Sequence, residues 1–337
     1  MPSNPGHDTQ SQHHWLSANG VQLHLVSQGE GPLVVFCHGF PGLWYSWRHQ
    51  LSALAAAGYR AVAIDMRGYG ESSRPASADQ YGYDSLSQDV LAVLDFCGAE
   101  QAVVVGHDFG ANLAWHMAAH HAQRLRGVVS LCVPYEMALA GGGDELPSRL
   151  YAQIAANHFF HMHYYQQPGV AEQGCLGRER EFLLKLFWAL SADGELLNWE
   201  NFPTAGTAYI DVLAEPGKAL PWSWLSQEDF DFYVSAYLNC DDPALAFVGG
   251  ASAYRVMDRN WRMFRDSAHT PITLPAAFIG GAEDPVVKLG SDAEFEHMRA
   301  LVKDLRLFEL LPGAGHFVQQ EQPQATTALL LQFLQSL

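Results

Sequence analysis

Asp108 lies between two small residues, Gly106 and Gly110, in the run Ala102-Val-Val-Val-Gly-His-Asp-Phe-Gly-Ala-Asn-Leu-Ala-Trp-His116. That run reads as a buried apolar strand, a tight turn and a helix. A glycine two positions either side of the centre permits a turn sharp enough to lift the central side chain above a sheet. The identity of that side chain selects the chemistry. A serine alkoxide attacks a planar acyl carbon, whereas a carboxylate can displace a leaving group at a saturated carbon and become an ester. The plain alternative is an Asp that only caps the helix. On the catalytic reading, the positive end of the helix beginning near Phe109 keeps the carboxylate ionised, which is the form a nucleophile needs.

A nucleophile of this kind needs a base, and the base needs an orienting acid. His316 stands in Leu311-Pro-Gly-Ala-Gly-His-Phe317, a glycine-rich loop that should follow the last strand. Asp284 stands in Gly280-Gly-Ala-Glu-Asp-Pro285, the loop after the strand before it, with Glu283 as the competing acid. The chain order nucleophile, acid, histidine is one in which such triads occur. Upstream, His38-Gly-Phe-Pro41 follows another apolar strand. The backbone N–H groups of Phe40 and Phe109 are expected to form an oxyanion hole. The segment Asp65-Met-Arg-Gly-Tyr-Gly-Glu-Ser-Ser73 is read as scaffold, with Asp65 and Arg67 as braces.

These loops have to be held by strands. Residues from about His14 to Val26 alternate like a hairpin. Apolar strands follow at Leu33–Cys37, Ala61–Asp65, Ala102–Gly106 and Val128–Cys132, separated by helical patterns such as Trp47–Ala57 and Leu86–Phe96. The alternation stops near Pro134 and resumes with Ala276–Gly280, a helix over Asp292–Lys303, the strand Leu305–Leu310 and a closing helix Pro323–Leu337. Strands alternating with helices imply an α/β fold with a doubly wound, mostly parallel sheet. Between the two parts lie helical patterns at Ser148–Gln166, Arg178–Ala189, Gln227–Leu238 and Ala244–Trp261. The expected organisation is a core of residues 1–134 and 265–337 with an α-helical cap, 135–264, inserted after the sixth strand. A cap supplies walls that exclude water from the reaction.

Composition narrows the function. The 337 residues carry 19 Lys+Arg against 36 Asp+Glu, a net charge of −17, with no basic run. Nucleic-acid binding, which needs clustered cations, is disfavoured. Neither a signal-peptide pattern nor a membrane-length apolar stretch is present, so a soluble protein is expected. Five scattered cysteines show no metal-ligand spacing and suit a reducing, cytoplasmic setting.

Over nearly the whole chain after the first dozen residues, the sequence resembles the α/β-hydrolase-fold epoxide hydrolases. The resemblance rests on His38-Gly-Phe-Pro, Asp65-Met-Arg-Gly-Tyr-Gly-Glu-Ser-Ser, Gly106-His-Asp-Phe-Gly and two cap segments. In the second cap segment, Ala253-Tyr-Arg-Val-Met-Asp-Arg-Asn-Trp261, Tyr254 matches a family tyrosine that hydrogen-bonds the epoxide oxygen. In the first, Phe159-Phe-His-Met-His-Tyr-Tyr-Gln-Gln-Pro168, the position of the second such tyrosine falls on His161, with Tyr164 and Tyr165 as the alternative donors. A His donor ordinarily titrates near neutrality, so a different pH behaviour is expected.

The resemblance implies that Asp108 opens an epoxide while Tyr254 and His161 hold the alkoxide. His316, oriented by Asp284, then activates the water that hydrolyses the ester, with no metal and no organic cofactor. Trp44, Met162, Tyr165 and Phe317 are expected to wall the substrate. The expected partners are a small apolar epoxide and water, with a homodimer left open. Three other readings share the fold. A haloalkane dehalogenase resembles this chain in its Asp nucleophile but carries a Trp donor after it, where Phe109 stands. A fluoroacetate dehalogenase would place carboxylate-binding arginines there, where this chain has Phe109 and Asn112. A ligand receptor of the same fold would have no need of Asp108, Asp284, His316 and Tyr254 together.

Overall fold

A computed structural model describes residues 11–135, 145–196, 199–266, 270–290 and 292–337. The expectations for the N-terminal ten residues, and those parts of the expected cap at 136–144 and 197–198, lie outside the described residues.

Eight strands form one sheet: β1 (Gln12–Ala18), β2 (Val21–Gln28), β3 (Leu33–Cys37), β4 (Arg60–Asp65), β5 (Ala102–His107), β6 (Leu125–Leu131), β7 (Ile272–Gly281) and β8 (Val302–Leu311). Their order is β1-β2-β4-β3-β5-β6-β7-β8. β1 and β2 form the expected hairpin, and β2 meets β4 antiparallel. The remaining pairs, from β4 through β3, β5, β6 and β7 to β8, are parallel. β5 is buried at every position, as a central parallel strand covered on both faces must be. Its valines pack into a core that includes Phe36, Leu113, Trp115, Val129 and Phe278.

Parallel strands place their carboxyl ends on one edge, where ligand crevices of open α/β sheets form. The loops after β3, β5, β7 and β8 therefore carry Phe40, Asp108, Asp284 and His316 to the same side. Behind β3 the loop is pinned by His38, whose Nδ1 bonds the Gly39 carbonyl at 2.8 Å while its Nε2 accepts from Met66 N at 3.0 Å. The brace role of Asp65 and Arg67 is visible. Asp65 accepts from His24 Nδ1 at 2.8 Å, Trp44 N at 3.0 Å and Glu71 N at 3.2 Å, and Arg67 grips Asp89 through two bonds of 2.7 and 2.6 Å.

Between β6 and β7 the described residues form helices and turns only. The helix Gln227–Leu238 has the expected limits, with Ser226 and Asp229 forming a capping box. Two expected helices are broken. Ser148–Gln166 becomes Pro147–Ala155 and His161–Tyr164, because Phe160 is extended at φ −141°, ψ 117°. Ala244–Trp261 becomes Val248–Arg255 and Met257–Asp266, with Val256 at φ −90°, ψ 8° between them. The first of these helices carries Gly249 and Gly250 in its first turn, where a Cβ would strike the rings of Tyr69 and Phe40 respectively. Two missing side chains thus let this helix lie directly on the core and bring Tyr254 down to it. Among the described residues no helix is long and apolar enough to cross a membrane.

Candidate active site

The turn after β5 holds Asp108 at φ 55°, ψ −121°, a backbone conformation that costs energy for any residue with a Cβ. Its neighbours make the turn possible. A Cβ on Gly106 would strike the carbonyl of Gly110, and one on Gly110 would strike the carbonyl of Cys37. The helix Phe109–His120 starts at once, yet the Asp108 side chain makes no capping bond to it. The capping alternative thus fails. Instead Oδ1 accepts the N–H of Phe40 at 2.9 Å.

Burial alone would raise the Asp108 carboxyl, but the His316 imidazole 3.6 Å away, with help from the Phe109 N–H, leaves it below the usual carboxylate range. The side chain keeps 19% of its surface open, so an ionised oxygen faces the space above it. Gly39 is part of this fit, since a Cβ there would land on the Asp108 carboxylate.

His316 and Asp284 complete the line. His316 Nδ1 donates to Asp284 Oδ2 at 3.0 Å, and its Nε2 stands 3.6 Å from Asp108 Oδ2. The other oxygen of Asp284 accepts the N–H of Val286 at 2.8 Å, which fixes the carboxylate at the start of the helix Pro285–Leu289. Burial opposes charge on His316, but Asp284 and Asp108 outweigh it and raise its pKa well above the ordinary value. Of the two candidate acids, Asp284 is the one in contact with His316. Glu283 is exposed and paired with Lys288 at 2.6 Å.

Above the carboxylate lies a cavity of about 260 Å³ lined by Asp108, Phe40, Phe109, His316, His161 and Tyr254, and otherwise mostly by apolar and aromatic side chains. Tyr254 is edge-on to Phe109 at 5.0 Å between ring centroids and stacked on Tyr165 at 4.6 Å. Burial raises its phenol well above the ordinary value, so the hydroxyl keeps its proton. His161 is stacked between Trp199 and Tyr209 at 5.0 and 5.4 Å and meets Tyr254 edge-on at 5.5 Å. Its Nδ1 is buried without a hydrogen-bond partner among the described residues. The expectation that it titrates near neutrality is corrected, because burial pushes its pKa down to about 3.

The same fold occurs in known proteins. Residues 32–166 match the model of the alpha/beta hydrolase fold family. Epoxide hydrolase A of Mycobacterium tuberculosis is 38% identical over 326 residues, which cover 96% of this chain and 97% of that one. The chain belongs to the α/β-hydrolase-fold epoxide hydrolases. An epoxide hydrolase from an endophytic Streptomyces superposes on it with a TM-score of 0.87 at 36% identity, covering 97% of this chain and 96% of the other. Epoxide hydrolase A of Mycobacterium thermoresistibile gives a TM-score of 0.85 at 37% identity over 96% and 98%.

Against the sequence expectations for this epoxide hydrolase, the structure brings together Asp108, Asp284, His316, Tyr254, His161, Phe40, Phe109 and Met162. Three expected wall residues are corrected. Trp44 lies outside the cavity, packed against His13, Tyr45 and Phe232. Phe317 turns behind His316 onto Trp224 and Phe187. Tyr165 backs Tyr254 without lining the space. Tyr164 is no donor to the site either, since its hydroxyl bonds the Val170 carbonyl at 3.2 Å. The walls that the sequence left unnamed include Tyr151, Leu186, Leu190, Trp199, Tyr209 and Trp261. Their helical spacing alone could not separate cavity face from core face. Among the described residues one grouping has metal-ligand types, His107, Cys132 and His316. It does not fit an ion, because both His316 nitrogens face carboxylates and His107 Nε2 donates to the His316 carbonyl at 2.7 Å.

Proposed function

We propose that this epoxide hydrolase opens an apolar epoxide in two covalent steps on Asp108, beneath a cap formed by residues 135–264. In the first step Asp108 Oδ2, the oxygen on the His316 side, attacks an epoxide carbon and the C–O bond of the ring breaks. Tyr254 gives its proton to the departing oxygen, and the proton that His316 releases after esterification restores the phenol by way of water. His161 is neutral in this scheme and donates only a hydrogen bond. Oδ1 remains the ester carbonyl, already facing the Phe40 N–H.

Esterification prepares the second step. It removes the negative charge of Asp108, one of the groups that keep the His316 proton bound. His316 then becomes a base while Asp284 still orients it. It takes a proton from water, the hydroxide adds to the ester carbonyl carbon, and the N–H groups of Phe40 and Phe109 receive the oxyanion. Collapse expels the alkoxide, which takes the proton from His316 and leaves as a vicinal diol, and the Asp108 carboxylic acid then returns its proton to His316.

The observation that carries this reading is the meeting of Tyr254 and His161 with Asp108 in one mostly apolar cavity. A hydrogen-bond donor pair suits an oxygen leaving group. The side chain of Phe109, which has no donor, offers a halide nothing. Replacing His316 by Gln tests the scheme. With styrene oxide, intact-mass spectra are expected to show one hydroxyalkyl adduct on Asp108. Diol formation without any adduct would overturn it.

A further inference from the structure

The loop that carries His316 has no regular structure of its own, so its backbone groups must find partners elsewhere. Glu321, at the end of the short helix Val318–Glu321, supplies them. Its Oε2 accepts the N–H of Gly315 at 3.0 Å, and its Oε1 accepts the N–H of Phe317 at 3.0 Å. One carboxylate therefore holds the residues immediately before and after His316. The same Oε2 also accepts the N–H of Ala192 at 2.9 Å, from the helical insertion.

The fit around it is close. The N–H of His316 itself donates to the carbonyl of Leu190 at 2.9 Å, and Leu190 is a wall of the cavity. A Cβ on Gly315 would strike the Ser191–Ala192 backbone, so the base loop and the insertion touch main chain to main chain. Burial raises the Glu321 carboxyl to about 6 despite these three bonds, so at neutral pH it is a carboxylate free to accept them all.

We infer that Glu321 is a positioning residue for the His316 base, fixing the height of the imidazole above Asp108 and tying it to the insertion through Ala192. Asp284 sets the direction of the ring, and Glu321 sets where its backbone stands. The inference rests on the proposed role of His316 in ester hydrolysis. That step needs Nε2 within reach of both a water and the ester carbon. The alkylation step needs His316 only as a nearby positive charge, because Asp108 is held from the other side by the Phe40 N–H.

Glu321→Gln keeps the volume but turns one acceptor into an N–H donor that opposes a backbone N–H. In single-turnover quench experiments with styrene oxide, ester formation is expected to stay within about twofold of wild type. Ester decay is expected to slow by about tenfold to a hundredfold, because small misplacements of a catalytic group have effects of that size. Decay at the wild-type rate, or equal slowing of both steps, would overturn the inference. If Glu321→Gln does not fold, Glu321→Asp takes its place. Its shorter carboxylate cannot span all three N–H groups, so the same split is expected and equal rates again count against the idea. Failure of His316→Gln to trap any ester would instead remove the two-step reading on which the inference stands.

Discussion

The imidazole of His316 stands between two carboxylates, 3.0 Å from Asp284 on one side and 3.6 Å from Asp108 on the other. The shorter contact is a hydrogen bond that fixes the ring, and the longer one leaves room for Asp108 to change its chemistry. This asymmetry lets one residue remain an orienter while the other becomes an ester.

Removing the orienter should therefore cost more than removing its neighbour. Asp284→Asn is expected to lower kcat by about a thousandfold or more, as loss of the orienting acid does in other triads. Glu283→Gln should leave kcat within about twofold, since its partner is Lys288 at the surface. Diol production by both variants checks the pair. Comparable losses would place the acid wrongly.

Tyr254 and His161 should differ in what they contribute. Tyr254→Phe removes a phenol that gives a proton, and kcat/KM is expected to fall by about a hundredfold or more. His161→Gln keeps a neutral N–H donor, and a loss of about tenfold or less is expected. Steady-state kinetics on styrene oxide read both. A larger effect at His161 than at Tyr254 would reverse the assignment of the proton donor.

Acid sensitivity follows from the buried histidines. Burial pushes His161 to about 3 and His107 to about 4, against an ordinary value of 6.5. Both are neutral in the fold and take up protons on unfolding below 6.5. Their stabilising contribution is therefore fully present above pH 6.5 and is lost as pH falls towards their folded values. Each group supplies up to about 1.4 kcal/mol per pH unit in that window. Thermal melts from pH 7 to 4.5 should show a falling Tm, and His161→Gln should flatten the slope. An unchanged slope would mean that His161 is charged in the fold. The same neutrality predicts that His161→Gln leaves the shape of the kcat profile unaltered over that range.

Gly39 offers a test of how the nucleophile is seated. In Gly39→Ala the new Cβ falls on the Asp108 carboxylate rather than on the core. Activity is expected to drop by about a hundredfold through misplacement of Asp108, with little change in Tm. Circular-dichroism melts beside kinetics separate the two effects. A large fall in Tm would place the strain in the loop instead.

Much of this site was legible because its parts obey local rules. The turn around Asp108 needs Gly106 and Gly110 whatever surrounds it, and the loops after β7 and β8 could be placed by counting strands. Identity at Tyr254 and His161 required the family pattern, since a tyrosine or histidine on an amphipathic helix has no local mark of catalysis. The walls were less legible. Trp44, Tyr165 and Phe317 have the right composition for a cavity, but an aromatic ring is equally at home in a core, and packing decided between the two. Helix limits failed at Phe160 and Val256, where tertiary contacts override an apolar period that continues through both positions.

The sequence alone put forward the proposed nucleophile, the order of the proposed triad and the parallel sheet, because each depends on residue type and short-range spacing. Only the tertiary structure decided the rest. It set the neutral state of His161, by stacking it between Trp199 and Tyr209 away from water. It brought Glu321 to the two residues flanking His316 and to Ala192, which is 129 positions distant in the chain. Burial and long-range hydrogen bonding are properties of the assembled fold, and no window of sequence contains them.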